Sequence, residues 1–257
     1  EALQVAAIYS VVSYAPLTAW PLRPFRQPHH SASGPALVGG GSRPQPGEIT
    51  LAHLGVLFLD ELPEFDRKVL EVLREPLESG EIVIARAQEK VRFPARFQLV
   101  AAMNPCPCGF LGDPSGRCRC TPEQTERYRH KLSGPLLDRI DLHITVARES
   151  TRLTPNADPG LSSAQAAAQV AAANQLQLQR QGCSNAQLNL LTLRDVCALT
   201  PDDQHWLEQA CERLNLSLRA THRILKVART IADLEHAPSI TRTHLAEALQ
   251  YRLSAAR

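Results

Sequence analysis

Four consecutive apolar residues, Val56-Leu57-Phe58-Leu59, stop abruptly at Asp60-Glu61. A short continuous apolar run closed by charge is the pattern of a strand buried on both faces of a parallel sheet. A second such run, Phe97–Met103, stops at Asn104. Between the two, Phe65, Val69, Val72, Leu73 and Leu77 recur at helical spacing and predict a helix over 65–77. Ile82-Val83-Ile84 and Val91-Arg92-Phe93 then predict a hairpin spanning Glu81–Phe93 around a polar tip. Strand and helix in alternation argue for an α/β layer architecture. Upstream, Glu1–Val12 starts inside an amphipathic helical pattern without an N-cap signal. Residues 16–50 carry seven prolines and Gly39-Gly40-Gly41, which predicts a long loop or insert with short extended pieces.

After Val146 the text changes. Residues 150–162, rich in Thr, Asn, Pro, Asp and Ser, read as a linker, and helical patterns follow at 163–181, 201–214, 218–235 and 241–254. Thr200-Pro201-Asp202-Asp203 supplies an N-cap, a proline at the first helical position and acid in the first turn. The expected organisation is therefore an α/β core over 1–149, a linker over 150–162 and an all-α domain over 163–257.

Composition narrows the function classes. In 257 residues, 28 Lys+Arg face 26 Asp+Glu for a formal charge of +2, so a nucleic-acid partner has to be held by local basic clusters. With 44% hydrophobic and 21% charged residues the chain is not globally disordered. No apolar run reaches the length of a membrane span, so no membrane partner is expected. The seven cysteines are odd in number and four crowd into 106–120, which fits a reducing cytoplasm better than a secreted disulfide framework. Cys183, Cys197 and Cys211 read as small buried apolar residues.

Candidate chemistry sits at the strand ends. Asp60 could hold Mg²⁺ through a water, and Glu61 could deprotonate a water for attack on a γ-phosphate; the plainer reading is a strand terminator that caps the next helix. Asn104 could position that water or phosphate, although Asn-Pro also marks turns. Arg139, between Asp138 and Asp141, suits either an ion pair or a charge presented to a phosphoryl transition state in a neighbouring subunit. Arg86, Lys90 and Arg92 place positive charge on the hairpin, as phosphate-backbone contacts require; solvated surface charge is the alternative. Cys106, Cys108, Cys118 and Cys120 bracket a turn-rich loop and can complete a tetrahedral Zn²⁺ shell. His29 and His30 could add ligands, but a loop histidine pair more often lies at the surface or against DNA.

These strings together resemble a family. Gly55–Glu64 is similar to the Walker B strand of the AAA+ ATPases, and the likeness continues through Phe97–Cys106, Ser133–Asp141 and the upstream Arg23-Pro24-Phe25-Arg26-Gln27-Pro28-His29-His30. It covers essentially the whole chain and is closest to the ComM-like (YifB-like) family within the magnesium-chelatase-like branch. The resemblance implies a partial AAA+ P-loop-type parallel sheet with inserted hairpins, followed by an all-α lid. It implies Asp60 as the Mg²⁺-associated Walker B acid, Glu61 as catalytic base, Asn104 as sensor 1 and Arg139 as arginine finger. On the lid, Arg219 or Arg223 in Leu218–Arg223 would be sensor 2, a basic solvated face being the alternative. Glu81–Phe93 would be the pore-facing pre-sensor-1 hairpin and residues 24–50 the helix-2 insert. The implied activity is ATP hydrolysis, with ATP and Mg²⁺, in a ring of self-associated subunits, expected to be a hexamer, that moves or branch-migrates DNA during recombination and natural transformation. A motor for metal insertion into a porphyrin and a non-hydrolytic binding module are the competing readings. A phosphate loop ending in Gly-Lys-Ser/Thr does not occur within 1–257, and the resemblance places it upstream of Glu1, so the isolated chain is expected to bind ATP poorly.

Overall fold

The computed structural model describes residues 1–12, 22–41, 44–85, 90–114, 116–146 and 160–253. The linker expected at 150–162 falls largely outside these residues, and so does Arg86. The chain divides into two compact units, Glu1–Ile140 and Asp141–Arg257.

The first unit opens with α1 (Ala2–Val12) and is organised by three parallel strands in the order β1-β4-β7: β1 (Phe25–Arg26), β4 (Val56–Leu59) and β7 (Gln98–Ala101). Both continuous apolar runs are thus strands, and they lie side by side with Leu59 opposite Ala101. Leu57 and Leu59 are fully buried, packed with Leu70, Leu73, Ile82 and Leu136. Close strand approach fixes Gly55, since a Cβ there would lie 2.0 Å from the Pro24 carbonyl oxygen.

Residues 22–50, read as loop with extended pieces, also contain two single-turn helices, α2 (Gly34–Val38) and α3 (Glu48–Leu51). Between them β2 (Gly39–Gly40) pairs antiparallel with β3 (Gln45–Pro46). Gly39 has φ 100°, and a Cβ would come within 2.2 Å of the Gln45 carbonyl oxygen, so this position needs a glycine for close backbone approach.

The helix predicted over 65–77 is interrupted. A 3₁₀ turn (Leu62–Glu64) leads into α4 (Arg67–Val72), capped by Asp66, and α5 (Pro76–Ser79) starts afresh. Pro76 is the reason: it has no N–H to donate to the carbonyl four residues back, and its ring crowds that carbonyl. The apolar spacing nevertheless does its job, burying Phe65, Val69 and Leu73 in one core. The hairpin forms as expected from β5 (Glu81–Ala85) and β6 (Lys90–Pro94). Two helices had no strong apolar period to announce them, α6 (Pro122–Arg129) and α7 (Gly134–Leu137). Their caps are the readable signal: Thr121 and Gln124 make a capping box, and Ser133 caps α7.

The second unit is helical: α8 (Ser163–Gln181), α9 (Leu190–Val196), α10 (Pro201–Arg213), α11 (Leu218–Leu234) and α12 (Arg242–Leu253). Thr200 caps α10 as its sequence requires, and Ser162 with Gln165 boxes the start of α8. Cys197 and Cys211 are buried in this core and Cys183 is half-buried. Burial pushes the Cys197 thiol up to about 11, in keeping with an inert packing role.

At the centre of the second unit lies Asp233, 1% exposed. Arg180 pairs with it at 2.6 Å, Arg229 at 3.0 Å, and the Asn185 amide donates to it at 2.8 Å. Burial by itself would raise this carboxyl; the Arg180 and Asn185 donors outweigh burial and hold it below the ordinary aspartate value. Among the described residues no helix is long and apolar enough to cross a membrane.

Candidate functional site

The parallel register of β4 and β7 decides what meets at their carboxyl ends. Leu59 lies opposite Ala101, the Ala102 N–H donates to the Leu59 carbonyl at 2.9 Å, and the Leu62 N–H donates to the Ala102 carbonyl at 3.0 Å. Asp60 and Glu61 therefore leave one strand beside the point where Asn104 leaves the other, at the edge of an α/β sheet where ligands are bound. All three side chains are exposed.

Glu61 adopts a left-handed backbone, φ 53° and ψ 45°. That conformation is costly for a residue with a Cβ, and such strain is retained where a side chain has to be aimed. The Asp60 carboxylate accepts the Glu61 N–H at 2.9 Å, and the Glu61 carboxylate lies 3.0 Å from His30 Nδ1. The His30 ring packs edge-on to Phe65 and against His29, while His29 Nδ1 is bound to Ser31 Oγ at 2.9 Å. Neither histidine belongs to the one group of metal-capable side chains among the described residues, which is made of cysteines. Sequence reading singled out His29 and His30 without giving them this neighbour; only tertiary pairing of β1 with β4 reveals it.

Arg139 is held within its own unit. Its guanidinium pairs with Glu78 at 2.6 Å and donates to the Pro135 carbonyl at 2.7 Å and the Arg74 carbonyl at 3.1 Å. Of the α11 arginines named as sensor 2 candidates, Arg223 forms an ion pair with Asp141, and Arg219 is half-buried one turn earlier. The same helix is not a uniformly solvated basic face. Arg229 is 3% exposed and bonded to Asp233 and to the Pro238 and Ala237 carbonyls, and Lys226 donates to the Ala186 carbonyl.

Lys90 and Arg92 are exposed on β6, Arg92 lying 3.6 Å from Glu81 across the hairpin. An exposed pair at that distance contributes little, so both cations remain usable by an anionic partner.

The four cysteines come together. The ligand atoms of Cys106, Cys108, Cys118 and Cys120 all lie within 4.8 Å of one another, with sulfur separations of 3.4 Å for Cys106–Cys108, 3.8 Å for Cys106–Cys118 and 3.7 Å for Cys108–Cys118. Four thiolates at Zn–S distances of about 2.3 Å in a tetrahedron stand about 3.8 Å apart, so the donor set fits a metal of that size. The thiols also respond as crowded acids do. Backbone N–H groups of Phe110 and Arg119 pull Cys108 down to about 6. Backbone donation also acts on Cys120, but its neighbours Cys108 and Cys106 and its desolvation outweigh it and push that thiol up to about 12. Cys108 thus ionises readily, whereas Cys118 and Cys120, both raised, hold their protons until a cation stands among them.

Comparison with known proteins identifies the family. Residues 1–153 match the family model described as magnesium chelatase, subunit ChlI, and residues 160–252 match that of its C-terminal region. The chain is 52% identical to a Salmonella typhimurium protein named YifB, over 98% of this chain and 50% of the relative. It is 53% identical to competence protein ComM of Haemophilus influenzae, again over 98% of this chain and 50% of the relative. A magnesium-chelatase 38 kDa subunit of Rhodobacter capsulatus is 28% identical over 85% of this chain and 57% of its own length. The chain thus spans about half the length of the YifB and ComM relatives it matches.

Proposed function

The chain belongs to the magnesium chelatase subunit ChlI family, in its ComM/YifB-like group, and from that premise we propose that it is the Walker B-to-lid portion of an AAA+ ATPase that drives movement or branch migration of DNA. The observation that carries this reading is the juxtaposition of Asp60, Glu61 and Asn104 at the ends of adjacent parallel strands, with Glu61 in a strained backbone.

In the proposed mechanism Asp60 would hold the nucleotide's Mg²⁺, which would neutralise charge on the phosphates. Glu61 accepts the proton of the attacking water, for which its carboxylate has to leave His30. Asn104, with a neutral amide, orients that water or the terminal phosphate without adding charge. Arg139 serves the nucleotide of the adjacent protomer in a ring, proposed to be a hexamer, on release from Glu78. Arg219 or Arg223 reads the phosphates from the lid.

Lys90 and Arg92, with Arg86, give the hairpin a sequence-blind grip on a phosphate backbone. The competence protein among the relatives supports DNA as the polymer moved. Zn²⁺ on Cys106, Cys108, Cys118 and Cys120 supplies a closed structural site that orders a loop with little apolar content. A cytoplasmic location follows from the same reading.

The test is ATP hydrolysis by the full-length protein with and without forked or four-way junction DNA. Stimulation by DNA is expected, with loss of stimulation when Lys90 and Arg92 are both changed to Ala. Hydrolysis indifferent to every DNA, but raised by a porphyrin-metal insertion partner, overturns the DNA reading.

A further inference from the structure

Three features tie Asn104 to the cysteine cluster. Cys106 follows Asn104 by two residues and is fully buried, so the chain beyond β7 is pinned at the cluster. Gly109, inside the loop, packs against the Asn104 side chain: a Cβ there would stand 3.8 Å from its Oδ1. From the other end of the loop, Cys120 immediately precedes Thr121, the N-cap of α6, and seven residues on that helix buries Tyr128, which is 5% exposed. Burial raises the Tyr128 phenol above its ordinary value, and the Asn104 backbone acts on the same phenol in the opposite direction, which sets Tyr128 beside Asn104. Glu64 and Glu61 lie close enough to act on the same phenol.

We propose that the metal-loaded cysteine cluster is the anchor that fixes Asn104 at the end of β7, with Tyr128 as a positioning residue acting through the Asn104 backbone. The inference rests on the metal and Asn104 roles given under the proposed function. Its physical basis is geometric. A tetrahedral ion fixes Cys106 and Cys120 at one point, and that sets both the backbone after Asn104 and the register of α6 beneath it. Without the ion, the four sulfurs have no common partner to hold them at one point, and both supports of Asn104 loosen while the strands stay paired.

The experiment is residue-resolved hydrogen exchange on the full-length protein without nucleotide, loaded with Zn²⁺ and after its removal by a chelator. Metal removal, or Cys118→Ser, is expected to speed exchange at the Asn104 amide by about tenfold while Leu57–Leu59 and Leu99–Ala101 stay protected. Tyr128→Phe is expected to give the same local effect with zinc content unchanged. In steady-state hydrolysis, that variant should lower kcat roughly tenfold at constant KM, the mark of a group felt in the transition state. An Asn104 amide insensitive to both changes overturns the proposal, as does loss of protection throughout Glu1–Ile140, which would make the ion a requirement for folding. Purified protein that takes up no zinc refutes the metal reading itself. Zinc bound without effect on Asn104 refutes only the coupling.

Discussion

Glu61 concentrates two demands in one residue, a carboxylate at the strand end and a backbone with φ 53°. The left-handed conformation costs a non-glycine residue about 1–2 kcal/mol. The exposed contact with His30 returns at most about 1 kcal/mol. Glu61→Gly is therefore expected to melt no lower than the parent in calorimetry, while hydrolysis falls by at least roughly 10²-fold for want of a base. Glu61→Gln should lose the same activity with the fold unchanged. A residue kept only as a helix cap would show the reverse pattern. His53 makes a second residue-scale case. It is 4% exposed and its Nδ1 accepts the Arg96 N–H at 3.1 Å. Burial, with Arg96 adding to it, holds its folded pKa below the ordinary value of about 6.5. The folded state then binds fewer protons than the unfolded one, so the contribution is complete above about pH 6.5 and is lost as pH falls towards the folded pKa. Urea midpoints of the first unit should drop from pH 7.5 to 5.5, and His53→Asn, which keeps an acceptor that does not titrate, should flatten the slope.

The strands were legible in the text because an apolar run closed by charge has few alternatives in an α/β protein, and β4 and β7 proved to be neighbours in parallel register. Their pairing also makes a prediction. Gly55→Ala puts a methyl 2.0 Å from the Pro24 carbonyl oxygen, so β1 has to move away from β4. The cost is expected to be about 1–3 kcal/mol by denaturant unfolding. What the text concealed was set by backbone chemistry. Pro76 broke a helix whose apolar period ran on past it, and α6 and α7 were announced only by capping residues. The candidate site was legible as residue types, Asp60, Glu61, Asn104 and four cysteines, because chemistry limits what can serve. His30 beside Glu61, Tyr128 beside Asn104 and Glu78 beside Arg139 are tertiary neighbours 31, 24 and 61 positions away, and no local pattern encodes them. The hairpin carries the element-scale test of nucleic-acid contact. Replacing Lys90 or Arg92 by Ala is expected to weaken DNA binding about equally for all sequences. Each should reduce the slope of log K against log salt by about 1.

At the scale of the molecule, a formal charge of +2 averages over units with different tasks. The apolar cluster of the first unit is built around the sheet, from residues such as Leu57, Leu59 and Leu136; that of the second is built on α9–α12, from Leu193, Ile224 and Leu245. The two share no residue. The second is further tied by Asp233, whose removal would leave Arg229, 3% exposed, without its carboxylate. Breaking a buried ion pair on one side costs about 3–5 kcal/mol, because the surviving charge stays desolvated. Asp233→Ala should therefore speed hydrogen exchange across α8, α11 and α12 and leave the amides of β4 and β7 at their parental rates. Leu57→Ala, which empties a fully buried site at a cost of about 2–5 kcal/mol, should do the opposite. Exchange that rises in both units with either substitution would show that the cores do not stand separately.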